Sequence, residues 1–254
     1  MLGINLDPFF LTCVTAGTLA LYNGQRLVKL NRFQAKTDHL KWVESNRTLL
    51  IGLTLIGGFI TAVCLYFVPW QIWLKAWPLG VIGLLYPTPV FPGPDERKAL
   101  RELPGIKILL IGLVWTGVTL WMPMRLGGHS MSNGSGLLLL ERMLFIMAIT
   151  IPFDIRDLPY DAPHMRTIPQ MLGMDKAKWV AVVFLLVSIS LALLSAYLEI
   201  VPWMTGLGSA MVYLLSIRLV QSAKVDSHFT HFTGSLDGMM LLYGILAILL
   251  SYSM

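Results

Sequence analysis

Charge is scarce in this sequence. Only 13% of its 254 residues are Asp, Glu, Lys or Arg, whereas 56% belong to the hydrophobic set. Soluble domains carry about 25% charged residues, and a single water-soluble core could not hide this much apolar surface. The mean hydropathy of +0.69 therefore excludes a soluble enzyme. It also excludes a disordered chain, which needs the opposite composition. Cysteine is nearly absent. Cys13 and Cys64 both lie in apolar runs, so they read as small buried hydrophobes rather than as a disulfide framework or zinc site. A basic n-region is lacking as well, since the first residues hold Asp7 and no Lys or Arg, and no signal peptide is expected. No repeat, low-complexity stretch or separate soluble domain stands out, so residues 1–254 read as one membrane domain. The D-G-x-x-A-R pattern of phosphatidyl-alcohol transferases is missing. The net charge of +5 reads as an orientation signal in a membrane chain, not as a nucleic-acid footprint.

What is abundant is long apolar runs. Crossing the hydrocarbon takes roughly 20 apolar residues as a helix, and eight runs qualify, near 8–26, 48–68, 70–86, 105–123, 136–156, 178–197, 200–221 and 236–252. They are continuous rather than alternating, which favours helices over a β-barrel. The expected fold is an all-α, polytopic transmembrane bundle of eight spans. Of nineteen Lys and Arg, sixteen fall in or beside the odd-numbered loops, leaving only Lys75, Arg125 and Arg142 elsewhere. The positive-inside rule then puts the odd loops in the cytoplasm and both termini outside.

Ionisable groups at membrane depth are costly and mark function. One stretch holds three acids where the fifth span reaches the cytoplasm: Asp154, Asp157 and Asp161, within Phe153-Asp-Ile-Arg-Asp-Leu-Pro-Tyr-Asp161. Positions i, i+3 and i+7 share a helix face, although Pro159 can put Asp161 on a turn instead. Clustered carboxylates suit Mg²⁺ together with substrate phosphates; the plainer reading is a solvated helix end with Arg156 as local partner. Loops 1 and 3 bring basic residues to the same side of the membrane, where they serve phosphate binding or orientation alone.

The stretch Asp154-Ile-Arg-Asp157-Leu-Pro-Tyr-Asp161 resembles the second aspartate-rich motif of the UbiA family of intramembrane prenyltransferases, D-x-x-D-x-x-x-D. Thr167-Ile-Pro169-Gln-Met-Leu-Gly173 is similar to the T-[LI]-P-x-x-x-G segment that follows it there. Leu85-Tyr86-Pro87-Thr88-Pro89 and Leu100-Arg-Glu-Leu-Pro-Gly-Ile-Lys107 resemble the family's Tyr- and Pro-containing loop. The resemblance implies a lipid-accessible helical bundle that binds a prenyl diphosphate through Mg²⁺ at the cytoplasmic face of the cell membrane. It implies transfer of the isoprenoid to a hydrophobic, often aromatic, acceptor. On that basis Asp154, Asp157 and Asp161 are the expected metal ligands, Asn23 and Arg26 the expected diphosphate contacts, and Tyr86, Arg101 and Lys107 further substrate-binding candidates. A UbiA-like terpene cyclase uses the same ionisation.

Two departures bear on this expectation. The family's first motif, N-x-x-x-D-x-x-x-D, reads here Asn23-Gly-Gln-Arg-Leu27-Val-Lys-Leu-Asn31, so both aspartates are replaced. Arg26 either meets phosphate directly or only marks orientation. A non-catalytic lipid-binding or subunit protein on the same fold is the alternative that this loss favours. The family also has nine spans and carries this motif on the second, whereas here it lies on the first. One helix is therefore missing from the pattern, and the true start either lies upstream of Met1 or is shortened.

Of the remaining polar residues, His228 and His231 have i, i+3 spacing but do not complete a metal site. Asp237 suits a helix N-terminus. Glu141 and Arg142 are expected at the outer interface, and Trp70, Trp73 and Trp77 in an aromatic belt.

Overall fold

Backbone amides in lipid find no water, so apolar runs must satisfy their hydrogen bonds internally. The computed structural model describes residues 7–32, 38–92, 98–128, 133–159, 161, 163–227 and 231–252. Lys36, Gly93, Pro94, Arg97, Tyr160 and His228, and the side chains of Lys29, Asn31, Arg32 and Lys41, lie outside the described residues. Each of the eight apolar runs is helical. They correspond to α1 (Pro8–Arg32), α3 (Arg47–Phe67), α4 (Trp70–Leu85), α5 (Lys107–Thr116) continued by α6 (Met122–Leu126), α7 (Asn133–Asp157), α9 (Met174–Tyr197), α10 (Trp203–Ser222) and α11 (Asp237–Tyr252). Short helices α2 (Asp38–Ser45) and α8 (Ile168–Leu172) lie in the connections. Five helices among the described residues are long and apolar enough to cross a membrane: Arg47–Phe67, Lys107–Leu126, Gly134–Asp157, Met174–Tyr197 and Trp203–Ser222. The chain is an all-helical membrane bundle. A small antiparallel ribbon, β1 (Pro89–Phe91) with β2 (Lys98–Ala99), lies between α4 and α5.

The fourth run is not a uniform α-helix. Gly117–Trp121 widens into a π turn, with the Met122 amide donating to the Gly117 carbonyl. The widening sits just before Pro123, which has no N–H to give. A second π segment, His231–Leu236, leads directly into α11.

The helices fall into two compact units, Asn5–Leu100 and Arg101–Met254. In the first, α1 packs on α3 through small residues. A Cβ added to Gly57 would lie 2.8 Å from the Ala16 carbonyl oxygen and 3.2 Å from the Ala20 Cβ. Such close approach replaces the hydrophobic effect as the driving force between helices in lipid. Cys13 and Cys64 are buried and free in this unit. Leu55, Ile56, Phe59 and Tyr66 of α3, like Trp70 and Trp77 of α4, face outward, as lipid-facing side chains do.

In the second unit α7 packs between α5 and α9, and α10 joins α9 to α11. The buried stripe of α9 is Ala177, Ala181, Leu185, Ser188, Ala192 and Ser195, and that of α10 includes Thr205, Ser209, Val212, Ser216 and Val220. Steps of three and four residues keep each stripe on one face, and its small side chains let the backbones approach. A Cβ at Gly206 would sit 2.7 Å from that of Ala196 and 3.0 Å from the Ala192 carbonyl oxygen. Gly206→Val is therefore expected to overpack the α9–α10 seam and cost about 1–3 kcal/mol. The check is the thermal midpoint in detergent, compared with Gly136→Ala, whose added Cβ meets nothing within 4 Å and should leave the midpoint unchanged.

Candidate functional site

The aspartate cluster is built on the C-terminal end of α7. Pro152 lies inside this helix and gives no N–H to the carbonyl four residues back, two positions before Asp154. The helix ends at Asp157. Pro159 occupies the turn, and the Asp161 amide donates to the Asp157 carbonyl at 2.9 Å. Asp161 thus comes from a turn, yet its carboxylate still reaches Asp154's neighbourhood. Both acids meet the Lys107 ammonium: Nζ lies 2.7 Å from Asp154 Oδ1 and 3.1 Å from Asp161 Oδ2. Asp154 is only 1% exposed, so its charge depends on that partner.

Three local devices hold this arrangement. Lys107 opens α5. Just before it, Gly105 takes φ +69°, a conformation natural to glycine, and its amide donates to the Met165 carbonyl at 3.0 Å. That bond ties the loop leading into α5 to the loop leaving α7. The Thr-Ile-Pro-Gln stretch supplies the third device. Thr167 caps α8, and its amide donates to Gln170 Oε1 at 3.0 Å while Gln170 Nε2 donates to the Asp161 carbonyl at 3.2 Å. One carboxamide therefore fixes both the cap and the backbone of Asp161.

Asp157 points elsewhere. Its Oδ1 accepts from Arg156 Nε at 2.7 Å, and the Arg156 guanidinium lies 5.2 Å from the Phe153 ring and 5.3 Å from the Phe232 ring. Phe232 belongs to the second π segment. The structure therefore brings Asp154, Asp161 and Lys107 together and leaves Asp157 beside its chain neighbour. Among the described residues no group of three His, Cys, Asp or Glu side chains is poised to hold a metal ion. Two carboxylates nonetheless converge on one ammonium. Hard oxygen donors of this kind fit Mg²⁺. Arg101, in the turn before α5, has a buried Nε without a hydrogen-bond partner. Asn23, Arg26 and Tyr86 belong to the other unit. There the Asn23 side chain is buried and donates from Nδ2 to the Leu19 carbonyl at 2.8 Å.

A second polar cluster corrects the expectation for Glu141 and Arg142. Glu141 is 3% exposed, not interfacial. Its Oε1 accepts from the Tyr213 hydroxyl at 2.5 Å, and its carbonyl accepts from Ser188 Oγ at 3.3 Å. The Arg142 guanidinium lies 4.0 Å from the centre of the Tyr243 ring, which stacks on Tyr213 at 5.9 Å. A cavity of 20 Å³ borders Glu141, Arg142, Thr205, Ser209 and Tyr243, enough for about one water. Asp154 lies thirteen positions beyond Glu141 along α7, a rise of about 20 Å. The two clusters thus occupy opposite halves of α7. The missed signal was in the sequence: Ser188, Ser209, Tyr213 and Tyr243 recur on the faces of apolar helices, a pattern that buries polar groups between helices.

Compared with models of protein families, with curated proteins and with solved structures, the chain matches none.

Glu141→Leu removes the acceptor of Tyr213 and leaves Arg142 without its acidic neighbour. It should cost about 1–3 kcal/mol, as leaving a buried hydroxyl without its acceptor does, whereas Glu141→Gln should retain most of the stability through the Tyr213 bond. Thermal unfolding in detergent checks the order.

Proposed function

We propose that the chain is a UbiA-like intramembrane prenyltransferase that moves an isoprenoid from a prenyl diphosphate to a hydrophobic acceptor with Mg²⁺. The observation that carries this reading is the convergence of Asp154 and Asp161 on one cation position, with Lys107 between them, at the end of a membrane-spanning helix. The match of the aspartate motif and its Thr-Pro-Gly sequel to the family pattern supports it. Eight spans, with the odd loops cytoplasmic, would put this end of α7 at the cytoplasmic face of the cell membrane.

Asp154 and Asp161 would hold Mg²⁺, and the resemblance adds Asp157, which in this structure is paired with Arg156. Mg²⁺ when bound supplies positive charge at the diphosphate oxygens. Lys107 and Arg101 are the cations of the same unit available to the diphosphate, and the resemblance adds Asn23, Arg26 and Tyr86. In the reaction the bond between isoprenoid C1 and the diphosphate oxygen breaks, and its electron pair leaves with the diphosphate. The acceptor's nucleophilic atom bonds to C1 and later loses its proton to solvent. Basic side chains fixed before the reaction stabilise the departing charge. A terpene cyclase would differ only in the nucleophile, a double bond of the same isoprenoid. Leu27 and Asn31 in the first motif favour the second reading, a non-catalytic lipid-binding or subunit protein on this fold.

Incubation with labelled prenyl diphosphates of several lengths, with and without Mg²⁺, tests the proposal. Metal-dependent release of diphosphate with a prenylated or cyclised product is expected, and Asp154→Asn should abolish it. Release by neither the wild type nor its variant at any chain length would leave the non-catalytic reading. Arg26→Ala should weaken binding of a prenyl diphosphate analogue about tenfold to a hundredfold, the worth of a charged hydrogen bond; equal affinities would make Arg26 an orientation signal. Cysteines at Asp175 and Lys224 should be shielded from impermeant reagent in sealed cells, and one at Glu199 should be labelled. The reverse pattern would remove the cytoplasmic placement.

A further inference from the structure

Lys107 occupies an electrostatically awkward place. It is the first residue of α5, where the helix dipole presents positive charge and where the first turn contains no acid. Its ammonium is stable there because acids from outside α5 surround it: Asp154 at 2.7 Å and Asp161 at 3.1 Å. Asp157 is already answered by Arg156, so the Lys107 triad carries two negative charges and one positive. A divalent cation arriving between Asp154 and Asp161 would neutralise both and compete with the ammonium for their oxygens. The displaced ammonium, on a flexible four-carbon stem, would then sit beside a helix N-terminus, a combination that suits phosphate oxygens.

We infer that Lys107 is an exchangeable cation. In the metal-free chain its ammonium holds Asp154 and Asp161 together; when a divalent cation takes that position, Lys107 transfers to the diphosphate that accompanies it. This rests on the prenyl diphosphate reading of the site, and it assigns Lys107 two successive partners rather than one. The lysine keeps two neighbouring carboxylates, one of them buried, from repelling one another while the site waits, and it couples metal arrival to phosphate binding. No bond is made or broken in the exchange.

The wild-type chain in detergent provides the first test. Acylation of Lys107 by an amine-reactive reagent, followed by peptide mass spectrometry, should accelerate at least fivefold when Mn²⁺ alone is added. It should fall back when inorganic pyrophosphate follows. A rate that ignores Mn²⁺ would overturn the inference. Lys107→Met supplies the second test, provided that its thermal transition confirms a folded chain: Mn²⁺ alone, titrated by paramagnetic resonance, should bind at least tenfold more tightly than to the wild type, because the competing ammonium is gone. Pyrophosphate at saturating Mn²⁺ should bind at least tenfold more weakly. Equal or weaker Mn²⁺ binding in a folded variant would contradict the exchange. Turnover of prenyl diphosphate with a Lys107 insensitive to Mn²⁺ would sink the inference and leave the proposed function standing. Release of Lys107 by Mn²⁺ without turnover would do the reverse.

Discussion

Asp154 is almost wholly buried at the end of a membrane helix, and a carboxylate cannot remain there without a cation. In this chain the cation is the Lys107 ammonium, shared with Asp161. Much of the surrounding architecture of the second unit serves that contact. Gly105 joins the approach to α5 with the loop after α7, and Gln170 ties the α8 cap to the backbone of Asp161. The Thr-Pro-Gly segment after the aspartates is thus a positioning element: it directs the chain out of the motif and into α9.

The second cluster shows the same constraint solved without an exchangeable partner. Glu141 gives its oxygen to Tyr213, and Arg142 lies over Tyr243. Aromatic rings and hydroxyls from α10 and α11 close around them, so this half of α7 is held by a fixed polar network. The other half relies on one flexible lysine. The contrast makes the Asp154 end the adaptable part of the helix and the Glu141 end its anchor.

The helices were legible because lipid removes the usual ambiguity: an apolar run there has to be helical, and all eight runs are helical, five helices among the described residues being long and apolar enough to cross a membrane. Asp154 lies on the last turn of α7, as its place in the apolar run implied, and Asp161 falls on the turn that Pro159 offered as the alternative to a shared helix face. Other features depended on tertiary partners. Asp157 has the same spacing credentials as Asp154, but Arg156 beside it supplies a nearer charge. Lys107 lies 47 positions from Asp154 in the chain, and its role as their shared counter-ion follows from the packing of α5 on α7. Glu141 and Arg142 read as interfacial because charge near a helix end normally seeks water; the burial of Glu141 depended on polar residues contributed by other helices. The first motif remains as informative as its sequence made it, since Leu27 offers no oxygen at all.

The cation position between Asp154 and Asp161 is best tested by the anomalous signal of Mn²⁺ in crystals of the protein grown with a non-hydrolysable prenyl diphosphate analogue. The account predicts a Mn²⁺ peak bound by both carboxylates, with Lys107 Nζ on a phosphate oxygen. A Lys107 ammonium still bridging Asp154 and Asp161, with the metal and the analogue bound elsewhere, would contradict it.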